Sequence, residues 1–301
     1  MILEKIIFLQ YILIWYSTNY FYYIYNKKLL NEINDTSSVL IVSSYQLGIG
    51  VIFSIFKYIF TNTKKIIFNE IKLNNNNIIK LGFYNCSCHI MSIYALSFSS
   101  ISLIQIIKSF EPIFNMIIGY IFYMQNISIK KFISFIPIIL SAIVSSIDFE
   151  YSYQSLLFGF FVLFYSIIKS YETKKILVKI NVNDDKDLFS IYFILINFYS
   201  YFISFLIGIS IYKKIYFDFL FLCISNNNIR NNLLLSSITF YTCNEISTFI
   251  LIKTSPLFQT ALNILKKNII ILGSSIIFNE KISLFKIIGC VLSFFTIFIE
   301  K

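Results

Sequence analysis

The sequence predicts an all-α integral membrane protein of ten transmembrane helices in a five-plus-five inverted repeat, and three observations carry that reading. First, only 13% of the 301 residues are charged and 57% are hydrophobic, whereas a soluble domain carries roughly 25% charged residues. Second, mean hydropathy is +0.75, and apolar runs of about 18–25 residues alternate with short charged breaks, the length that crosses a hydrocarbon core roughly 30 Å thick. Third, a stretch near the middle of the chain is repeated near its end. The ~10-residue segments of alternating polarity that mark a transmembrane β-barrel are absent from the sequence.

The spans follow in order. The first, 6–26, starts within a few residues of Met1 and stops at Asn26-Lys27-Lys28. No charged segment and small-residue cleavage site precede it, so it reads as a span and not a removable signal. Apolar runs then place spans at 38–61, 77–98, 100–124, 130–148, 154–173, 188–212, 231–252, 255–278 and 281–299. Very short connections at Phe98–Ser99 and Thr254–Ser255 force antiparallel neighbours. The stretches Thr61–Asn76, Thr173–Asp187 and Tyr212–Arg230 are polar and read as solvated loops, two of them with Asn runs at Asn74–Asn77 and Asn226–Asn228.

Loop charge orients the bundle. With the N-terminus on side one, fifteen lysines fall there, among them Lys57, Lys169 and Lys174, and seven Lys or Arg fall on side two, among them Lys213, Lys214 and Arg230. The excess makes side one cytosolic, with both termini on it. The same rule absorbs the net charge of +10, which therefore does not point to nucleic acid. The partners are the lipid bilayer and a small solute; oligomeric state is open.

The repeat pairs 121–131 (IFYMQNISIKK) with 276–286 (IIFNEKISLFK) at an offset of 155 residues. It implies halves at 1–150 and 151–301. An odd number of spans per half inverts the second, the plan of many secondary transporters that bind substrate near the midplane between halves.

Charges inside the bilayer are the informative residues. Lys108, Lys266, Lys267, Glu111, Glu245 and the single histidine, His89, all fall mid-span. A charge there costs about 2.5–3.5 kcal/mol even on a lenient scale, so it faces the bundle interior. Lys108 and Glu111 are spaced i,i+3 and share a helix face, so mutual neutralisation is one reading. Glu245 is open to a structural reading, and His89, one turn from Ser92, to a packed or hydrogen-bonded one. Lys266 and Lys267 repel each other, with Asn263 one turn before them. Two acids facing three lysines leave a cationic centre whose missing anion is a ligand, and phosphate suits clustered lysines. The five cysteines lack metal-ligand spacing and read as packing residues. No nucleotide-binding, metal or nucleophile motif is present, so neither an enzyme nor a cofactor is expected.

These residues resemble the plastidic phosphate translocators, the triose-phosphate transporter family of the drug/metabolite transporter superfamily. Trp15-Tyr16, Asn19, Asn26-Lys27-Lys28 and Asn31 are similar to its first-helix pattern. Lys108 with Glu111-Pro112 is similar to its K-x-x-E-P signature, Lys169 with Lys174-Lys175 to the end of its sixth helix, Asn244-Glu245 to its eighth, and Asn263 with Lys266-Lys267 to an N-x-x-K-R element in its ninth. The resemblance implies ten helices in two inverted halves. It implies a secondary-active antiporter exchanging a phosphorylated three- to six-carbon metabolite, triose phosphate or phosphoenolpyruvate first, for inorganic phosphate across an organelle membrane. His89, Ser92, Lys108, Lys266 and Lys267 would then bind substrate, backed by Glu111, Asn263, Tyr241, Cys243 and Lys169. Three positions depart from the family: Lys267 for Arg, Lys169 for Arg, and Cys243 for Tyr, with Tyr241 on a different face. The changes at Cys243 and Lys267 keep a second reading open, a nucleotide-sugar transporter of the endoplasmic reticulum or Golgi. With no targeting extension before the first span, the outer membrane of a plastid-type organelle is the favoured location.

Overall fold

The computed structural model describes residues 2–33, 35, 37–60, 68–124, 140, 152–179, 186–254, 256–279, 284, 287, 288, 290 and 291. Nine helical elements lie among them: α1 (Ile2–Ile33), α2 (Ser38–Phe60), α3 (Phe68–Ser97), α4 (Ile101–Lys108), α5 (Glu111–Tyr123), α6 (Tyr153–Lys179), α7 (Lys186–Ser225), α8 (Asn227–Lys253) and α9 (Pro256–Ile277). No strand occurs among the described residues. Apart from residues 140, 284, 287, 288, 290 and 291, the expected spans 130–148 and 281–299 lie outside the described residues, as do most of the second halves of the repeated stretches.

Among the described residues, four segments are long and apolar enough to cross a membrane: Ser38–Ile59, Ile101–Tyr123, Tyr153–Ile176 and Phe189–Ser225. Helices α1, α3, α8 and α9 are also long but carry more of the polar side chains. The protein is an all-helical integral membrane protein.

Two stretches read as loops are helical. Asn74–Asn77 belong to α3, where Asn75 accepts a hydrogen bond from the Tyr199 hydroxyl at 2.8 Å. The Tyr212–Arg230 stretch continues α7 past a non-helical residue, Tyr212, to Ser225. There the Asn226 side chain accepts from the backbone N–H groups of Asn228 and Ile229 and starts α8. Asparagine is a poor interior helix residue but a strong N-cap, so composition alone mistook a helix start for a solvated loop. The fourth span is broken too. Pro112 has no N–H to offer the carbonyl four residues back, and the chain closes α4 with tight bonds from Ser109 N to Ile106 O and Phe110 N to Ile107 O.

Packing is pairwise across the chain. Helix α1 lies on α8, α3 on α6, α2 on α7, α3 on α7, α2 on α8, and α4 on α9. Exchanging α1 with α6, α2 with α7, α3 with α8 and α4 with α9 leaves this set of pairs unchanged. Among the described residues, two non-glycine residues have positive φ, Met124 (49°) and Asn279 (51°). They are 155 apart, the offset of the sequence repeat, and they follow α5 and α9.

At the end of the bundle where α1 leads into α2, here the far end, a large apolar cluster fills the interior. It includes Leu29, Val39, Ile41, Leu96, Ile101, Tyr216 and Phe219. Lys27 donates to the carbonyls of Leu96 (3.0 Å) and Ser99 (2.8 Å) and so caps the end of α3. At the near end Lys174 does the same for α8, donating to Leu251 (3.0 Å) and Ile252 (2.6 Å). A cation on terminal carbonyls also complements the helix dipole. In the α1–α2 turn, the Ser37 hydroxyl and backbone N–H donate to the Asp35 carboxylate and hold its pKa below the usual carboxylate range.

Lipid offers apolar surface as readily as protein does, so close backbone approach matters more than hydrophobicity between membrane helices. Gly82 on α3 is such a contact: a Cβ there would meet Tyr199 Cβ at 2.6 Å and the Ser200 backbone nitrogen at 3.3 Å. Neither atom can swing aside. Gly82→Ala is expected to destabilise the α3–α7 packing by about 1–3 kcal/mol, read as a lower Tm in detergent, while an unchanged Tm would show the two helices to be loosely held.

Candidate functional site

One cavity of about 170 Å³ runs from mid-membrane toward the near end. Helices α1, α3, α4, α5, α6, α8 and α9 all reach it. Lys108, Lys169, Lys266 and Lys267 line it, and Glu111 is the one carboxylate among the lining residues. Four cations against one anion leave a formal excess of three positive charges.

The break after Lys108 builds the first part of the site. Because Pro112 cannot donate to the Lys108 carbonyl, that oxygen is left open, and Lys267 Nζ donates to it. The same ammonium pairs with Glu111 Oε2 at 2.9 Å. Glu111 Oε1 accepts from Asn263 Nδ2 at 3.1 Å. The Lys108–Glu111 neutralisation that i,i+3 spacing allows is therefore not the pairing adopted; Glu111 pairs across to α9. Lys267 is 2% exposed, so it is a buried cation with two protein acceptors, the Lys108 carbonyl and the Glu111 carboxylate. Pro112→Ala would restore the missing donor and make it compete with Lys267 for the carbonyl. A fall of up to roughly tenfold in transport is expected, the worth of one hydrogen bond, and unaltered transport would remove the role given to the proline.

Lys108 Nζ donates to the Tyr23 hydroxyl at 2.5 Å and lies 3.5 Å from Ser92 Oγ. Lys266 Nζ sits 4.2 Å over the Trp15 ring, a cation–π contact. The Tyr16 hydroxyl donates to the Leu262 carbonyl at 2.7 Å and fixes α1 beside that turn of α9. Lys169 Nζ donates to Asn85 Oδ1 (2.7 Å) and Asn244 Oδ1 (3.2 Å). None of Lys108, Lys169 and Lys266 has a carboxylate within 4.0 Å among the described residues.

The residues expected at the site are thus divided. Lys108, Lys266, Lys267, Glu111, Asn263, Cys243 and Lys169 line the cavity, and Ser92 touches Lys108. His89 does not line it: its ring lies on Phe240 with centroids 3.9 Å apart, Nδ1 is 3.4 Å from the Tyr22 hydroxyl, and Nε2 has no hydrogen-bond partner. Tyr241 is also outside, beside Phe193 at 5.7 Å. Cys243 does not leave a gap, because its sulfur accepts from Asn19 Nδ2 at 2.9 Å. Glu245 belongs elsewhere and pairs with Lys57 at 2.5 Å. Cys88 and Cys243 face the cavity, whereas Cys86 packs with Leu47 and Ile90.

Lys169 is the residue the loop count misplaced. It lies ten residues before the end of α6 and points inward. Trp15, Tyr23, Asn85 and Asn244 have site contacts that sequence reasoning did not assign. The one tryptophan in the chain, within an apolar run, was the available signal for Trp15.

The Triose-phosphate Transporter family model matches residues 6–300. The chain belongs to that family. A solved structure titled "Crystal structure of protein" superposes with a TM-score of 0.55 at 11% identity, covering 98% of this chain and 95% of that one; it shows a shared fold. No curated protein matches the chain. Members of the triose-phosphate transporter family are membrane transporters in kind.

Proposed function

We propose that this transporter is an antiporter that exchanges a phosphorylated three- to six-carbon metabolite, triose phosphate or phosphoenolpyruvate first, for inorganic phosphate. The observation that carries it is the excess of three positive charges lining one cavity. Lysine ammoniums act as point charges with three donors each, and a phosphate dianion offers several acceptor oxygens. Lys108, Lys266 and Lys267 hold the phosphoryl group. Lys169, held apart from them by Asn85 and Asn244, faces the rest of the solute. Ser92 acts through Lys108. His89 joins the site only if α3 moves relative to α8.

The cavity's size favours a small solute. Its volume of about 170 Å³ is below the ~300–1,000 Å³ of pockets that enclose drug-sized ligands, and a nucleotide sugar is larger still.

The exchange-only behaviour has an electrostatic cause. An empty cavity that closes must desolvate three uncompensated cations, which costs several kcal/mol per ion. A bound phosphate dianion neutralises most of that charge and lets the site occlude. The helix pairing that survives exchange of α1–α4 with α6–α9, and the paired left-handed residues Met124 and Asn279, support two inverted halves, 1–150 and 151–301, rocking about the site. With Lys169 moved from loop to cavity, the count is fourteen cations against seven, which still favours a cytosolic near end.

Purified protein in proteoliposomes loaded with phosphate tests this directly. Uptake of labelled phosphate is expected only when the lumen holds phosphate, triose phosphate or phosphoenolpyruvate. Uptake of UDP-sugars in place of these solutes would replace the proposal with the nucleotide-sugar reading.

A further inference from the structure

Helix α7 is too long for the bilayer. Its 40 residues extend to about 60 Å at 1.5 Å per residue, twice the roughly 30 Å hydrocarbon core. The non-helical residue Tyr212 (φ −130°, ψ 44°) divides it. The first arm, 186–211, is about 39 Å long and spans. The second arm, 213–225, is about 20 Å long and has to lie off the membrane normal.

Its position is fixed by three contacts at the far end. The Tyr216 hydroxyl is 2.8 Å from Ser44 Oγ, near the start of α2. The Tyr45 hydroxyl donates to the Tyr216 carbonyl at 3.0 Å, and their rings stack with centroids 5.0 Å apart. Gly208 leaves the space that Tyr216 folds back into, since a Cβ there would meet that ring at 3.1 Å. The arm's inner face, Tyr216, Phe219 and Cys223, joins the apolar cluster that closes the far end.

The other faces of the arm are uncovered. Phe217, Leu220, Phe221 and Ile224 are 49%, 42%, 72% and 69% exposed, and their spacing of three, one and three residues puts them on one helical stripe. Lys214, Asp218 and Ser225 fall together beside that stripe, and Lys213 and Lys214 open the arm, both exposed. On the first arm Phe198, Phe202 and Leu206 are exposed as well. An apolar stripe, a polar edge and lysines at one end are the pattern of a helix lying in the interface plane.

We infer that residues 213–225 form an interfacial arm that docks on the phospholipid leaflet at the far end, with Phe217, Leu220, Phe221 and Ile224 in the acyl boundary and Lys213 and Lys214 on anionic headgroups. Because the arm's inner face belongs to the far-end closure, the leaflet helps hold that closure. The partner is a lipid surface and is independent of the solute proposed for the cavity. The site is built by aromatic packing on α2, so the arm is rigid before it meets lipid and loses little entropy on docking.

The full chain in lipid vesicles tests the inference. Phe221→Trp and Ile224→Trp are each compared with the parent, whose one tryptophan, Trp15, is 1% exposed and gives a constant background. Bromine placed on the acyl chains near the headgroups is expected to quench the new tryptophans more than bromine near the bilayer centre. Adding phosphatidylglycerol is expected to increase that shallow quenching and raise the Tm. Each lysine near an anionic surface shifts such an equilibrium roughly fivefold, so Lys213→Glu with Lys214→Glu is expected to abolish both responses. Unquenched, water-exposed emission overturns the inference. So does stronger quenching from the bilayer centre, which would make the arm part of the span. Shielding that grows with the protein-to-lipid ratio overturns it too, because a second copy of the chain is then the occupant.

Discussion

Lys266→Ala is expected to abolish phosphate exchange, by at least roughly thirtyfold, while the protein keeps or exceeds the parent's Tm. The loss follows from removing one charged partner of a desolvated anion, worth about 2–5 kcal/mol. The stability follows from what Lys266 does in the empty site. Its ammonium has a Trp15 face at 4.2 Å but, among the described residues, no carboxylate within 4.0 Å. A cation–π contact returns about 0.5–2 kcal/mol, less than the several kcal/mol that an uncompensated ion costs in a cavity of like charges. Lys108→Ala is expected to lose exchange to the same extent. Exchange measured in proteoliposomes, with Tm measured on the same preparation, separates a dead site from a misfolded chain. A Lys266→Ala protein that exchanges within threefold of the parent would falsify the site.

Glu111→Gln is expected to do the opposite to stability. It removes the one carboxylate among the residues lining the cavity and strips Lys267 of its counter-charge. Lys267 stays buried at 2% exposure, with the Lys108 carbonyl as its remaining acceptor besides the new amide. Breaking a buried pair from one side costs about 3–5 kcal/mol. The Tm of the empty protein should therefore drop, and added phosphate should restore more of it than in the parent, because the dianion supplies the missing negative charge. Replacing both partners, Glu111→Gln with Lys267→Met, should recover stability without recovering exchange. Non-additivity of that kind is what a directly coupled pair gives. An unchanged Tm in the single variant would mean that Lys267 has no need of Glu111.

The structure also explains a motif that spacing alone misread. Lys108 and Glu111 are three apart, and helical geometry brings such residues together. The proline after Glu111 changes the outcome. It ends α4 at Lys108, opens that residue's carbonyl, and turns Glu111 toward α9. A local rule therefore failed for a local reason, visible in the sequence as Pro112, while the partner Glu111 takes instead, Lys267, is 156 residues away from it.

Other misreadings have the same shape. Lys57 and Lys169 sit near ends of apolar runs, and a charge count assigns both to a loop. Lys57 does face outward and pairs with Glu245, but Lys169 turns inward to Asn85 and Asn244. The long Lys side chain can reach either way from such a position, so only the neighbours choose. Asn226–Asn228 read as a solvated loop because asparagine is common in loops; what decided them was a cap that needs the following helix to exist.

By itself the sequence determined the membrane class, the apolar runs, and the three intramembrane lysines and their shortage of acids, because the cost of burying a charge in lipid is paid residue by residue wherever the chain goes. The fold decided the pairings: Lys267 with Glu111, Lys266 with Trp15, Lys169 with two asparagines, and His89 against Phe240 outside the cavity. Those contacts join helices far apart in the chain, and the energy of each depends on which atoms the packing brings within about 3–4 Å. The division between halves of the α7 helix was decided in the same way, by Tyr216 finding Ser44 across the bundle.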